Sequence, residues 1–268
     1  MSMTQRTMKI LELLAAAPQG LRVTDLAQEL DLNRAIPFRI LSDLMVMGYV
    51  VKDPLSERYR ATFTLGSLGL RQIEESGVQD WAQSEINTLA MATRELVRLA
   101  IWNQEQLQFL CRAQGANSAL LIVDSNVGSD VALHATASGK AWLSTLDDLS
   151  VEKVLADRGL FKYTDATPES LSTIVRDLDE VRRCGYSLIH EEMEPGVSAI
   201  AAPIVPPDST DGIAVATVSI AGPTARVRDT LESFAPDLFA SAKRLANSWR
   251  VREYLEAVHR PLDPQPAQ

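Results

Sequence analysis

The stretch DLNRAIPFRILSDLMVMGY, residues 31–49, constrains the fold more than any other part of the chain. Pro37, Ile40, Leu41 and Leu44 fall at i, i+3, i+4 and i+7, the buried stripe of an amphipathic helix. Two shorter helical patterns precede it. Over residues 4–16, Met8, Ile10, Leu11, Leu13 and Leu14 recur near helical spacing until the PQG at 18–20 stops them. Over residues 23–30, Leu26, Ala27 and Leu30 share a face. YVVK and RYRAT then read as two short strands joined by a DPLSE turn. Three helices and a hairpin in that order make a winged helix-turn-helix.

The face of the third helix opposite its stripe carries Ala35, Arg39 and Ser42, with Ile36 and Phe38 flanking it and Arg34 at its entry. Arg can take guanine bidentately in the major groove, Ser can meet a base or a phosphate, and small or apolar neighbours can touch a thymine methyl. Thr24 stands near the start of the second helix, and Arg58 and Arg60 place positive charge on the hairpin, where a wing meets backbone or minor groove. These nine residues are the candidate contacts to double-stranded DNA. A solvated basic face on a protein-interaction module is the other reading of the same pattern.

Charge distinguishes the head from the rest. The whole chain of 268 residues carries a net charge of −9, which disfavours polyanion binding. Residues 1–70 nevertheless hold eight Lys or Arg against seven Asp or Glu, and the remainder holds 18 against 28. Only the first segment is electrostatically suited to nucleic acid. A 46% hydrophobic and 23% charged composition supports well-formed cores. No apolar run approaches a bilayer span, and MSMTQRTMKI lacks a signal-peptide core, so the expected location is the cytoplasm, with no membrane partner.

Beyond the head, residues 65–77 read as a connecting helix and 81–99 as a second. The texture then turns to strands in VRLAIW, LQFLCRA, ALLIVD, YSLIHEE, SAIAAPIV and IAVATVSIA, with helices over 151–157, 170–184 and 235–258. This is an α+β pattern with a mainly antiparallel central sheet. The expected organisation is a DNA-binding domain at 1–64, a linker helix at 65–79, a ligand-binding domain at 80–260 and a disordered tail at 261–268.

The chemistry-bearing candidates are few. HATASGKAWLS, residues 134–144, contains a Gly-Lys pair, but it lacks both the leading Gly and the trailing hydroxyl of a P-loop. What remains is a tight turn entering a helix, capped by Thr136 or Ser138, where backbone N–H groups favour an anion. HEEME, residues 190–194, approaches a zinc motif, yet Pro195 and Gly196 cut short the helix that motif needs. Cys111 and Cys184 are too far apart in sequence for a metal cluster and read as core residues. No acid, base and nucleophile assemble, so neither an enzyme, a metal nor a cofactor is expected.

Several blocks together resemble the IclR-type bacterial transcriptional regulators: LNRAIPFRILSDLMVMGYVVKDPLSERYRAT in the head, HATASGKAWLS, GYSLIHEEMEPGVSAIAAPI, and AVATVSIAGPTARV. Their order covers nearly the whole chain apart from its C-terminal tail. The resemblance implies a C-terminal domain similar to the GAF and PAS group, homodimers or dimers of dimers, and control of a catabolic operon by a small organic acid. It implies that the backbone N–H groups of Ala137, Ser138 and Gly139 meet the acid group, with Lys140 not needed. Residue-by-residue matching places Ile189, Ala199, Ser219 and Ala221 on the cavity wall.

Two departures from the family pattern carry expectations. Pro37 stands where relatives carry Val or another good helix former, and it disfavours helical angles at Ile36 unless the helix begins close by. Of the four matched wall positions only Ser219 is polar, which predicts a larger, partly hydrophobic or aromatic carboxylic acid lying against Ile189, Ala199 and Trp142. Ile189 and Ala199 also suit an ordinary core, in which case the pocket is vestigial and the protein is an interaction module.

Overall fold

The computed structural model describes residues 1–103, 106–115 and 130–247. Its contacts divide the chain into a unit spanning Met1–Glu75 and a second that begins at Ser76. No helix among the described residues is long and apolar enough to cross a membrane.

The first unit contains α1 (Met3–Ala16), α2 (Val23–Glu29), α3 (Ala35–Val46), β1 (Val50–Lys52), β2 (Tyr59–Ala61) and most of α4 (Phe63–Ser76). Ser2 caps α1: its Oγ accepts from the Gln5 N–H, while the Gln5 side chain accepts from the Ser2 N–H. The core is made by Ile10, Leu11 and Leu14 of α1, Leu26 of α2, and Ile40, Leu41 and Leu44 of α3, closed by Val50 and Tyr59 of the hairpin. The four stripe residues Pro37, Ile40, Leu41 and Leu44 are the buried residues of α3. Pro37 is the third helical residue, so its missing N–H is one that a first turn leaves unpaired anyway. The helix therefore includes Ile36, the case in which it begins close to Pro37, and the Asn33 side chain supports its start by accepting from the Ala35 N–H at 3.0 Å.

Gly20 joins α1 to the wing. The backbone of Leu21 bridges Tyr59 there, and Gly20 has φ +75°. A Cβ at this position would stand 2.7 Å from both the Tyr59 carbonyl oxygen and the Arg60 Cγ. Gly20→Ala is thus expected to destabilise the head by about 2 kcal/mol, from left-handed backbone strain plus the clash. Urea unfolding of the full chain, followed by circular dichroism, would register this as an early loss of helix; an unchanged transition would contradict the close approach.

The second unit continues with α5 (Val78–Thr93), β3 (Leu96–Asn103), β4 (Gln106–Gln114), α6 (Ala137–Leu143), α7 (Asp148–Arg158), α8 (Leu171–Cys184), β5 (Ser187–His190), β6 (Val197–Ile204), β7 (Ala216–Pro223), α9 (Thr224–Val227), a 3-10 turn at Leu231–Phe234, and α10 (Ala235–Asn247). The helix expected over 81–99 stops at Thr93. Arg94 takes a left-handed φ of +61° and the apolar residues after it alternate as a strand. ALLIVD, residues 248–258 of the expected last helix and the tail lie outside the described residues.

Five strands form one antiparallel sheet in the order β4-β3-β7-β6-β5. Period-two alternation sorts its side chains. Val97, Leu99 and Ile101 of β3, Ile200, Ala202 and Ile204 of β6, and Val218 and Ile220 of β7 join Trp81, Ile86 and Leu89 of α5 and Leu238 and Leu245 of α10 in one core. The residues between them face the other side, where α6 lies: Ile189, Ala199, Ala201 and Ala221 cluster with Ala137 and Ala141. A separate core behind α6 is built from Ala100, Leu107, Trp142, Leu155, Ile174 and Leu178.

Candidate functional site

In the head, α3 exposes the face opposite its buried stripe. Arg34, Ala35 and Arg39 are exposed, and Phe38 keeps 56% of its surface in solvent despite its size. Ser42 is half-buried and its hydroxyl donates to the Phe38 carbonyl at 2.9 Å, leaving an acceptor lone pair for a partner. Ile36 turns partly inward against the core, and Thr24 is half-buried on α2. The wing is less free than its sequence implies. Arg58 is half-buried and donates from Nη1 to the Gly20 carbonyl at 2.8 Å, so it braces the fold. Arg60 is exposed, 3.8 Å from the Asp53 carboxylate, and Lys52 pairs with Glu57.

In the second unit a cavity of about 330 Å³ opens between the sheet and the start of α6. Thr136 is the cap of α6: its Oγ1 accepts from the Gly139 N–H at 3.0 Å and donates to the Ala132 carbonyl at 2.8 Å. That bond leaves Ser138 free. Its side chain lines the cavity, is 2% exposed, and its Oγ has no hydrogen-bond partner among the described residues. Ala137 lines the cavity beside it, and Ile189, Ala199 and Ser219 form wall positions on β5, β6 and β7.

Three residues expected at the acid group or on the wall stand elsewhere. Gly139 is absent from the lining and its N–H is already bonded; it lies so close to the turn before it that a Cβ would stand 2.4 Å from the Leu133 Cα. Trp142 points into the core behind α6, stacking on Trp102 at 3.7 Å and donating from Nε1 to the Ala214 carbonyl at 2.8 Å. Ala221 packs in the small-residue cluster under α6 and does not reach the cavity surface.

The cavity also contains groups the sequence pattern did not single out. Arg98 lies opposite Ser219 in the β3–β7 register, with its guanidinium 4.2 Å from the centre of the Phe109 ring. Enclosure lowers its pKa to about 10, with the Glu194 charge acting the other way, so it stays protonated at neutral pH. Among the described residues its Nε has no hydrogen-bond partner and no carboxylate lies within ion-pair distance. Met193, Glu194, Asp130 and Val131 are also on the wall. The available signal was an Arg as the second residue of the otherwise apolar VRLAIW, where period two sends it to the side away from Val97 and Leu99.

Lys140 lies one turn after the cavity and is turned away from it. It is 2% exposed and its Nζ reaches Asp177 of α8 at 2.7 Å and Glu192 at 2.7 Å. Glu192 belongs to the segment that carries Met193 and Glu194, and its carbonyl accepts from Thr167 at 2.6 Å. Burial raises the pKa of the Glu192 carboxyl, and the Lys140 charge opposes that rise. Elsewhere, HEEME is not helical: His190 ends β5 and bonds Ser198 Oγ through Nδ1 at 3.0 Å. Among the described residues no cluster of His, Cys, Asp and Glu could hold a metal ion. Cys111 is in the core as expected. Cys184 is not; it sits half-buried at the end of α8 with Sγ 3.1 Å from Glu180.

A helix-turn-helix head joined to a cavity-bearing sheet domain matches two family models in sequence order. Residues 4–54 match the IclR helix-turn-helix domain, and residues 71–247 match the C-terminal domain of the bacterial transcriptional regulator IclR. The chain belongs to the IclR family. The HTH-type transcriptional regulator BhcR of Paracoccus denitrificans is 31% identical over 239 residues, 89% of this chain and 84% of that protein. An IclR-family regulator from Alicyclobacillus acidocaldarius has a crystal structure that aligns with TM-score 0.79 at 25% identity, covering 91% and 97% of the two chains. The crystal structure of an IclR homologue from Microbacterium hydrocarbonoxydans, complexed with 4-hydroxybenzoate, aligns with TM-score 0.76 at 20% identity over 94% and 100%. This IclR-family chain is a transcriptional regulator with a DNA-binding head and a C-terminal effector domain.

Proposed function

We propose that this IclR-family regulator grips operator DNA through the exposed face of α3 and the wing, and that a small, partly hydrophobic organic acid in the cavity changes that grip. Arg34, Ala35, Phe38, Arg39 and Ser42 would enter the major groove, with Arg60 near the backbone. Ala137, Ser138, Ile189, Ala199 and Ser219 would surround the acid. The observation that carries the reading is the cavity itself, whose apolar side chains are interspersed with charged ones and with a Ser138 hydroxyl that has no partner among the described residues. The Microbacterium homologue of the same fold is complexed with an aromatic acid, in keeping with that class. Exposed Met3, Met8, Phe63 and Leu70 in the head fit assembly as a homodimer, the state that a palindromic operator requires. The setting is a catabolic operon in the cytoplasm.

Coupling requires the acid to bind the DNA-competent and DNA-released states with different affinity. Thermal shift of the purified full chain with matched aliphatic and aromatic acids is expected to favour the aromatic ones. Silence across the panel would mark the cavity as vestigial. On the DNA side, Arg39→Ala is expected to cost about 1–3 kcal/mol of discrimination between operator and random DNA while leaving the melting curve unchanged. Fluorescence anisotropy with both DNAs across a salt series measures it, and equal loss on both would reduce Arg39 to a phosphate contact.

A further inference from the structure

The buried Lys140 is held by two carboxylates, and the exposed Arg226 forms a two-pronged pair with the buried Glu95, both bonds 2.7 Å. Arg98 is as firmly placed, between β-sheet neighbours and over the Phe109 ring, yet no carboxylate among the described residues pairs with it and its Nε is unbonded. A half-buried guanidinium whose nearby counter-charge, Glu194, stands beyond ion-pair distance is incompletely compensated, and an arriving anion relieves that cost with a bidentate, charge-assisted pair.

The turn that opens α6 is a weaker anion site than its sequence implies, because one of its three N–H groups is consumed by Thr136. What it offers instead is the Ser138 hydroxyl, buried, unpartnered and facing the same cavity. A hydroxyl both donates and accepts, so it suits a neutral oxygen. Asp130 and Glu194 on the wall disfavour a second negative charge on the ligand.

We infer that Arg98 is the residue that reads the effector's charge: its guanidinium takes the carboxylate of a hydroxy- or oxo-substituted monocarboxylic acid, whose neutral oxygen bonds to Ser138. This rests on the effector-cavity reading above, and it moves the acid group from the turn to β3. Arg98 is thereby a specificity-determining residue.

The test is thermal shift and calorimetric titration of the ligand-free full chain with 4-hydroxybenzoate and a set of hydroxy and oxo monocarboxylates, their primary amides, and matching dicarboxylates. The monocarboxylates should raise the melting temperature of the wild type, and the amides and dicarboxylates should not. Arg98→Met should weaken acid binding about tenfold or more, and Arg98→Lys should recover part of it. Without ligand, Arg98→Met should melt at or above the wild-type temperature, since a desolvated charge with no ion-pair partner has gone. Ser138→Ala should keep carboxylate binding and lose the preference for hydroxy acids over their unsubstituted parents. Acid binding undiminished in Arg98→Met, or a clear drop in its ligand-free melting temperature, overturns the assignment while leaving the acid effector standing. If no acid stabilises the wild type, the effector reading fails and Arg98's role with it.

Discussion

Lys140→Met is expected to lower the stability of the effector domain by about 3–5 kcal/mol, because it strands the enclosed Glu192 carboxylate without its cation. The loss should depend on pH in a defined direction. The Glu192 pKa is raised in the folded state above its ordinary 4.5, so whatever stability it contributes is complete below that value and is lost as pH rises through the folded pKa. Removing Lys140 takes away the charge that opposes the rise. The gap between variant and wild type should therefore be smallest in acid and widen toward neutrality. Urea unfolding at pH 5 and pH 7.5 measures both gaps, and adding Glu192→Gln to the variant should restore part of the loss at neutral pH. A gap independent of pH would mean that Lys140 contributes packing alone.

Gly139→Ala should be nearly as damaging, at about 3 kcal/mol. The added Cβ meets Leu133 backbone atoms, with the Cα and carbonyl oxygen both at 2.4 Å, and backbone cannot yield as the tip of a flexible side chain does. Relief requires α6 to shift away from the preceding turn. Ala137 and Ser138 travel with it, so any fraction that folds should bind cavity ligands poorly. Chemical denaturation combined with ligand-induced thermal shift separates the two effects. Wild-type values in both would show that the turn can widen freely.

The head was legible because its information is local. A 3.6-residue stripe named the buried side of α3, and the turn residues between YVVK and RYRAT named the hairpin. What escaped was long-range: Arg58 was placed on a DNA-facing wing, but its guanidinium is held by a carbonyl 38 residues earlier. The sheet was equally readable from alternating strands, while the helix expected over 81–99 ran too far because Leu96, Val97 and Leu99 fit helical as well as strand spacing. In the cavity, Ile189, Ala199 and Ser219 came together since each faces the same side of adjacent strands. Trp142 did not: it shares the i, i+4 face of α6 with Ser138, but one turn further along its ring stacks on Trp102 and its Nε1 is bonded to the Ala214 carbonyl, contacts that no local spacing announces. Arg98 required knowing which face of β3 is covered by helices and which by a cavity, and that is a property of the assembled sheet.

Neighbouring residues of β3, β6 and β7 thus answer to separate demands. Val97, Leu99, Ile200, Val218 and Ile220 carry the mechanical integrity of the domain, and Arg98, Ala199 and Ser219, interleaved with them, line the cavity. A lineage built on this sheet can trade one metabolite for another by single substitutions at alternate positions, without renegotiating the scaffold. Chemical preference and structural solvency are written in the same strands, in different frames.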